Sequence, residues 1–419
     1  RELEKIFPGI IDDMVKAGAF RVDMGEQYRL MLAGSWKKVV QSGIEIICAG
    51  RPLLEWCIRR RLDDETRITY LYGQEVRDLV IDETTGAVRG VVVAHEGRMR
   101  VIAAEFIVDA SGKNTPVPAL LGKRGWPVPE VEEDCLNCFY SSMRHKVPEG
   151  RAWDDKVMVI AYAHRPYQRY YAAQYYTDTS RRILSTSLVG YNCYDPPRNA
   201  KEFRDFARRM PTPIIGDELD DLEPCSEVYN FRYPEMRRYH YARLTKLPAG
   251  LVALGDALCS ADPVSGVGMS KALLELSQLR TLLGAHSSSD PDLVPLYYSR
   301  VAKIADRVWF VVREQNLRYQ WIKDGARKRV FYFRALNWYV DRVLERAHED
   351  PAMYRLYLAM THLIATPAVL MRPDVVAKVL GQWLKTKLSF RPTLIEQNFG
   401  HASHETGTLP LASADLRPK

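Results

Sequence analysis

The chain is 419 residues long, which is too long for one ordinary hydrophobic core and predicts two or three domains. With 47% hydrophobic and 26% charged residues, its composition excludes an intrinsically disordered protein. The net charge of +7 would favour anionic partners such as a dinucleotide phosphate or an acidic membrane surface. Because Lys and Arg do not form long blocks, we interpret this charge as a solvated basic surface and expect no nucleic-acid binding.

Cysteine content and hydropathy predict a cytoplasmic protein without a transmembrane segment. Seven cysteines, an odd number in a long chain, argue against a disulfide framework. The pair Cys135 and Cys138 has no second pair that could complete a zinc site, so no metal site is expected. We recognise no signal peptide, and the longest uncharged stretch, 356–371, falls short of the roughly 20 apolar residues of a spanning helix.

The first third of the chain predicts a mixture of helices and strands, including a β-meander. Apolar residues at helical spacing predict the helices, and β-branched runs bounded by turn residues predict the strands. Pro8 and Gly9 are expected to interrupt the first helix. The expected elements, in chain order, are a helix over 2–17, a strand over 44–48, a helix over 53–62, strands over 68–72, 76–81 and 88–94 that form the meander, and a buried strand over 106–108.

The rest of the chain changes from strands to helices. Aromatic and alternating segments predict a mostly antiparallel sheet with one helix inserted in it. A buried strand and a long helix follow, and then a helical region that is rich in aromatic residues. The expected elements are strands over 157–162, 170–176, 183–189 and 228–233, helices over 201–210 and 268–283, a strand over 251–254, helices over most of 290–388, and a polar, disordered tail after 389.

One segment carries the strongest functional pattern. A buried strand is expected to end in Gly255 and Asp256, and after Pro263 two glycines, Gly266 and Gly268, open the long helix. A carboxylate at the C-terminal end of a strand can accept hydrogen bonds from a chain of hydroxyl groups. Glycines at a helix start let backbone N–H groups approach an anionic ligand closely. The spacing therefore favours a redox-cofactor site over a plain strand-to-helix connection.

This segment resembles the second FAD-binding motif of the class A flavoprotein monooxygenases of the para-hydroxybenzoate-hydroxylase type, which is Gly-Asp-Ala followed by Pro and Gly-x-Gly. The strand end from Asp109 to Gly112 is similar to the family's Asp-(Gly/Ala)-x-Gly. Arg51 begins a match to its Arg-x-x-Leu helix start. The order of Arg51, Asp109 and Asp256 is the family's order. Within the family the chain is most similar to the bacterial oxidoreductases that include polyether-type epoxidases.

The resemblance implies an α/β (α+β) fold with three parts. These are an FAD-binding Rossmann-like domain that lacks its first βαβ unit, a substrate domain built on an antiparallel sheet, and a helical C-terminal region. The implied boundaries are 1–125 for the first part of the FAD-binding domain with the meander, 126–240 for the substrate domain, 241–285 for the second part of the FAD-binding domain, 286–395 for the helical region and 396–419 for a disordered tail.

The resemblance also implies roles toward FAD. Asp256 would bind the ribityl chain, and Arg51 would approach the pyrophosphate or ribityl oxygens, with a surface ion pair as the alternative for Arg51. Asp109 and Gly112 would support the nucleotide half of FAD, with a plain strand-end turn as the alternative. The other implied contacts are Gly255 beside Asp256, Pro263 near the oxygen-reacting carbon of the ring, and Gly266, Val267, Gly268 and Met269 at its pyrimidine edge.

The sequence departs from the family in one respect. Members begin with a strand and Gly-x-Gly-x-x-Gly, whose backbone N–H groups hold the FAD pyrophosphate. No such run precedes Arg51 or occurs elsewhere in the chain. We therefore expect a fragment or a gene that has lost its opening βαβ unit, and FAD binding by this polypeptide alone is in question.

The implied chemistry is that of the cofactor. FAD would take electrons from NADH or NADPH, react with molecular oxygen and deliver one oxygen atom, through a flavin hydroperoxide, to an apolar or aromatic substrate by hydroxylation or epoxidation. No catalytic side chain is predicted. Two alternatives stay open: a flavin-dependent reductase or dehydrogenase of a lipid-like substrate, and a degenerate, cofactor-free binding subunit. The Trp-x-Trp-x-Ile-Pro signature of flavin halogenases is absent, which argues against halogenation.

Alternating aromatic residues in the second domain are candidates for a substrate wall. Tyr229, Phe231 and Tyr233 would share one face of a strand. The alternative is that all three are core aromatics. The aromatic-rich helical C-terminal region would cap the pocket, contact a membrane surface peripherally or form a dimer contact, unless helix packing alone explains it. We expect a monomer or a homodimer.

Overall fold

The computed structural model describes residues 2–150, 158–161, 164–178, 182–210, 212–319 and 330–399. The chain divides into two compact units. The first unit comprises 1–8, 61–134 and 236–312, and the second comprises 9–60, 135–235 and 313–419. The predicted disordered tail lies outside the described residues from 400 onward. Its first part is wrong: Leu394–Phe399 form a helix, in which Ile395 is 5% exposed and its amide donates to Glu345 Oε1 at 3.2 Å.

The helices confirm most of the helical pattern in the sequence. The interruption at Pro8 and Gly9, the helix that starts at Gly268 and the helical C-terminal region are all present. In chain order the α-helices are α1 (Glu2–Ile6), α2 (Ile10–Lys16), α3 (Arg51–Asp63), α4 (Val117–Lys123), α5 (Ala200–Ala207), α6 (Ile214–Asp220), α7 (Gly268–Leu283), α8 (Leu293–Asn316), α9 (Val330–Glu349), α10 (Pro351–Thr361), α11 (Pro373–Leu388) and α12 (Leu394–Phe399).

The strands confirm the two strand-rich regions and add strands that the sequence pattern did not predict. The additions include β2 and β7. In chain order the strands are β1 (Phe20–Asp23), β2 (Tyr28–Leu32), β3 (Ser35–Trp36), β4 (Glu45–Cys48), β5 (Glu75–Ile81), β6 (Val88–His95), β7 (Arg98–Ala103), β8 (Ile107–Asp109), β9 (Val131–Lys146), β10 (Met158–Ala161), β11 (Tyr170–Asp178), β12 (Ile183–Tyr191), β13 (Glu223–Pro224), β14 (Tyr229–Tyr239), β15 (Leu251–Ala253) and β16 (Cys259–Ser260).

The second unit is built on a mostly antiparallel sheet, as the sequence predicted. Its strand order includes the run β14-β9-β12-β11-β10-β2-β3, and β13 also pairs with β9. The pairs β9 with β12, β12 with β11 and β11 with β10 are antiparallel, whereas β10 pairs with β2 in parallel. One face of the sheet packs on α5 and α6 through a buried cluster that includes Phe139, Met143, Leu188, Phe203, Phe206 and Ile215.

The first unit contains a short parallel sheet made of β8 and β15, with Val252 opposite Val108. The outer edge of β15 is closed by side chains: the Tyr298 hydroxyl accepts a hydrogen bond from the Ala253 amide at 2.9 Å, and the Tyr297 hydroxyl donates to the Ala253 carbonyl at 3.0 Å. Strand β8 was predicted to be buried, but Val108 is 41% exposed. Its continuously apolar sequence could not distinguish a central strand from one with an open side.

The predicted β-meander is present, but its strands are β5, β6 and β7 in antiparallel order. The prediction of a strand over 68–72 is wrong. That segment is an exposed loop in which the rings of Tyr70 and Tyr72 stack at 5.8 Å. Strand β6 instead continues through a tight turn at Glu96 and Gly97, both with positive φ, into β7. A Glu-Gly turn is a weak sequence signal, whereas a run of β-branched and aromatic residues is a strong one.

Candidate cofactor site

The parallel pairing of β8 and β15 brings the two predicted motifs to one edge. Ala253 lies opposite Asp109, and the Leu254 amide donates to the Asp109 carbonyl at 2.9 Å. Gly255 and Asp256 follow β15 immediately, so both aspartates stand at the carboxyl end of the same two strands. Ligands of α/β sheets bind at such carboxyl ends.

The Asp109 side chain is committed to its own loop. It is 7% exposed and accepts hydrogen bonds from the Ser111 amide at 3.0 Å, from the Ser111 hydroxyl at 2.5 Å and from the Thr115 hydroxyl. Gly112 has φ of 88°, a conformation that favours glycine. These contacts describe the strand-end turn of the alternative interpretation. Asp109 and Gly112 therefore shape a loop, and a direct role toward FAD stays a prediction.

The Asp256 side chain is in a different situation. It is exposed, and within the described part of the chain its carboxylate has no hydrogen-bond or ion-pair partner. One of its oxygens, Oδ1, lies 4.0 Å from the position that a Cβ on Gly268 would take. The carboxylate thus stands beside the N-terminus of α7, free to accept hydrogen bonds from a ligand's hydroxyl groups.

The N-terminus of α7 is accessible, and backbone groups are exposed there. The Lys271 amide makes the first helical bond, to the Val267 carbonyl, and no side chain caps the helix. The amides of the first turn are therefore available to an anionic group. Gly266 has φ of 64° with open space where a Cβ would be, and Met269 is 62% exposed. Exposed carboxylate, free amides and open glycines fit the polar chain and ring edge of a flavin nucleotide.

A buried ion pair supports this loop, and the sequence analysis missed it. Lys271 and Glu275 lie one turn apart on α7 with both side chains fully buried, and Lys271 Nζ is 2.8 Å from Glu275 Oε1. Lys271 Nζ also donates to the Gly255 carbonyl at 2.9 Å, and the Gly255 amide donates to Glu275 Oε2 at 2.8 Å. Burial raises the pKa of Glu275. A Lys and a Glu four residues apart on a helix are so common that their spacing alone does not indicate this role.

Arg51 belongs to the second unit and begins α3. Its side chain is 82% exposed, and its Nε is 2.7 Å from Glu55 Oε1. This is the surface ion pair that the alternative interpretation expected. A role for Arg51 toward FAD stays a prediction.

The three candidate substrate residues on strand β14 differ in their exposure to solvent. Tyr229 is 56% and Phe231 is 62% exposed, whereas Tyr233 is 5% exposed. Asn230, between the first two, bonds the hydroxyl of Ser141, which lies in the buried face of β9 with Phe139 and Met143. By strand alternation Tyr229 and Phe231 project from the opposite face. The core interpretation therefore does not describe these two aromatics, whereas it does describe Tyr233.

Comparison with solved structures identifies the fold. The chain resembles the flavin-dependent brominase Bmp2 with a TM-score of 0.62 at 15% identity over 93% of this chain and 88% of that one. It resembles PqsL, a probable FAD-dependent monooxygenase from Pseudomonas aeruginosa, with a TM-score of 0.57 at 14% identity over 76% and 84% of the two chains. The chain has the fold of flavin-dependent monooxygenases and halogenases. This confirms the fold that the resemblance of the motifs implied.

Sequence comparison shows one relative of this chain. Protein Rv3254 of Mycobacterium tuberculosis is 26% identical over 406 residues, which cover 92% of this chain and 83% of that protein. No family model matches the sequence. Within the described residues, no helix combines the length and the apolar character required to cross a bilayer.

Proposed function

We propose that the chain is an FAD-dependent oxidoreductase that uses NAD(P)H and molecular oxygen to hydroxylate or epoxidise an apolar or aromatic substrate. One observation carries the proposal. The unpartnered Asp256 carboxylate and the uncapped, glycine-lined start of α7 meet at the carboxyl edge of β8 and β15. A carboxylate suits the hydroxyl groups of a ribityl chain, and a free helix N-terminus suits a negatively charged edge of the flavin ring.

In the proposed function the side chains and backbone of the protein bind FAD and orient it. Asp256 would accept hydrogen bonds from the ribityl hydroxyls, and the amides at Gly268 and Met269 would hold the pyrimidine edge, where the helix dipole favours negative charge. Gly266 would leave room for the ring, and Pro263 would contact it. The bound flavin supplies electron transfer from NAD(P)H and oxygen activation. The side chains around it position the substrate and exclude water.

The substrate surface is the face of the second unit's sheet opposite α5 and α6. Exposed Tyr229 and Phe231 project from it, and exposed large aromatics on one face are typical of a binding surface. Ser142 and Ser187 lie on the same face, with their hydroxyl oxygens 2.8 Å apart. Aromatic rings beside hydroxyl groups suit a planar substrate that carries polar substituents.

Isotope labelling tests the proposal. The chain is incubated with FAD, NADPH or NADH, a panel of phenols and alkenes, and isotopically labelled molecular oxygen. We expect a product with one labelled oxygen atom, formed only when FAD and the nicotinamide are both present. The Asp256→Asn variant, which keeps the size of the side chain and removes its charge, should bind FAD about tenfold to a hundredfold more weakly because a charged hydrogen-bond acceptor is lost.

Each other outcome contradicts a specific part of the proposal. A reduced or desaturated product without label would indicate a reductase or dehydrogenase. A chain that takes up no FAD at any concentration would indicate a cofactor-free binding subunit. Unchanged FAD affinity in Asp256→Asn would remove the ribityl role of Asp256.

A further inference from the structure

The buried pair of Lys271 and Glu275 holds one particular residue of the cofactor loop. Glu275 accepts from the Gly255 amide, which belongs to the peptide between Leu254 and Gly255. Lys271 donates to the Gly255 carbonyl, which belongs to the peptide between Gly255 and Asp256. Because both flanking peptides are held, both φ and ψ of Gly255 are fixed.

Fixing a glycine here has consequences for its neighbour. Gly255 has φ of 67°, in the left-handed region, and without a Cβ it can adopt several other conformations. Its carbonyl also accepts from the Leu258 amide at 3.0 Å, whereas Glu275 holds its amide. The next residue is Asp256, so the torsions of Gly255 set the direction in which the carboxylate leaves the strand. The same helix supplies the buried pair and, at Gly268, the N-terminus beside that carboxylate.

General stability is a weak explanation for such a pair. Removing two opposite charges from water costs about as much free energy as their attraction returns, and apolar replacements of buried pairs are often neutral or stabilising. Lys271 and Glu275 bond to each other and to Gly255, so their hydrogen bonds are concentrated on the loop that carries Asp256. Buried ion pairs are better suited to specifying one conformation than to adding stability.

We propose that Lys271 and Glu275 are positioning residues for FAD, which hold the Gly255 peptides so that Asp256 presents its carboxylate to the ribityl chain in one orientation. This inference rests on the proposed function and deepens it. The pair does not touch FAD. It pre-organises the group that does, and so lowers the entropy cost of binding.

The test compares two buried ion pairs of the same chain. The double variant Lys271→Met/Glu275→Gln removes both charges together and keeps a side-chain carbonyl oxygen at position 275 as an acceptor for the Gly255 amide. The matched control is Arg318→Met/Glu314→Gln, which removes another i,i+4 pair, with side chains only 4% and 6% exposed, in the second unit. The FAD dissociation constant, the visible circular dichroism of bound FAD and the thermal midpoint without FAD are measured for each.

We expect the Lys271→Met/Glu275→Gln variant to bind FAD about tenfold more weakly, since the affinity cost of a less ordered loop corresponds to about 1.4 kcal/mol. Its flavin dichroism should change shape because the ring is held less uniformly. The control should keep the parent's FAD affinity and dichroism whatever its thermal midpoint. Glu275→Asp, which keeps the charge and shortens the side chain, should weaken FAD binding in the same direction and decides the matter if the double variant does not fold.

The outcomes separate the inference from the function on which it rests. A parent chain that binds no FAD overturns the proposed function. The positioning role alone is overturned if the parent binds FAD and the folded Lys271→Met/Glu275→Gln variant binds it with equal affinity and unchanged dichroism. Equal losses of FAD affinity in that variant and in the control also overturn it, because the effect would then follow general destabilisation.

Discussion

His145 is the residue whose chemistry is least compatible with its surroundings. It is 1% exposed, and within the described residues neither ring nitrogen has a hydrogen-bond partner. It lies in the buried face of β9 between Met143 and Val147, with its ring centroid 6.3 Å from that of Phe203. Burial, together with the positive charge of nearby Arg204, lowers the pKa of His145 from its usual value of 6.5 to about 4.

We predict that His145→Leu increases the free energy of unfolding at neutral pH. The substitution removes two buried polar atoms without partners and places an apolar side chain of similar size in an apolar cluster. A buried unsatisfied polar group costs about 1–3 kcal/mol, so a gain on that order is expected in urea unfolding. A loss of stability would show that the ring nitrogens make a contribution we have not identified.

The same residue predicts a dependence of stability on pH. The folded pKa of His145 is lower than its unfolded value, so between about pH 6.5 and pH 4 the unfolded state binds a proton that the folded state excludes. Stability should therefore fall as the pH drops through this window. Buried His164, whose pKa is also lowered to about 4, contributes in the same direction, so His145→Leu should reduce the slope without abolishing it.

Individual residues were predictable from the sequence only where backbone geometry decides their identity. Gly255 and Gly266 were placed at turns from the sequence, and both have positive φ, the conformation that favours glycine. The roles of Asp256 and Gly268 toward FAD stay predictions. The sequence could not show that the Asp109 carboxylate accepts hydrogen bonds from its own loop, since this depends on the positions of Ser111 and Thr115 in the folded chain. Nor could it distinguish the buried pair of Lys271 and Glu275 from a surface pair.

At the scale of elements, the sequence predicted periodic segments well and chain pairing poorly. Helix α7 spans Gly268–Leu283, the range that the sequence predicted. The loop 68–72 was mistaken for a strand because β-propensity does not reveal whether a partner strand is within reach. Strand β2 was missed because it pairs in parallel with β10, which lies far away in sequence, and a local pattern does not show such a pairing.

The exposed face of β14 leads to a prediction about substrate use. Replacing Tyr229 or Phe231 with Ser should weaken substrate binding several-fold or more while it changes the free energy of unfolding little, because both rings are more than half exposed. Substrate affinity is measured by titration, and stability by urea unfolding. Tyr233→Ala is the matched contrast: this ring is buried, and its removal should cost about 3–5 kcal/mol. Equal destabilisation by all three substitutions would show that Tyr229 and Phe231 are core aromatics.

At the scale of the whole molecule, the flavin-monooxygenase fold is present but no Gly-x-Gly-x-x-Gly occurs in the 419 residues. The residues proposed for FAD lie on the ribityl and ring-edge side of the cofactor, whereas this Gly-rich pattern is the one that holds a pyrophosphate. Joining a βαβ unit with this Gly-rich turn ahead of Glu2 should tighten FAD binding by an order of magnitude or more, measured as quenching of flavin fluorescence. A longer polypeptide of this kind that still purifies colourless would count against the assignment.

The central claim is that FAD binds where β8 and β15 end. Amide hydrogen exchange, measured across the chain with and without saturating FAD, tests this most directly because it locates the ligand without requiring turnover. We predict slower exchange over Gly255–Ala257 and at the start of α7, with a smaller effect in the loop after Asp109. In Asp256→Asn the same protection should require about tenfold to a hundredfold more FAD. Protection confined to other segments, or none at saturating FAD, would contradict the account.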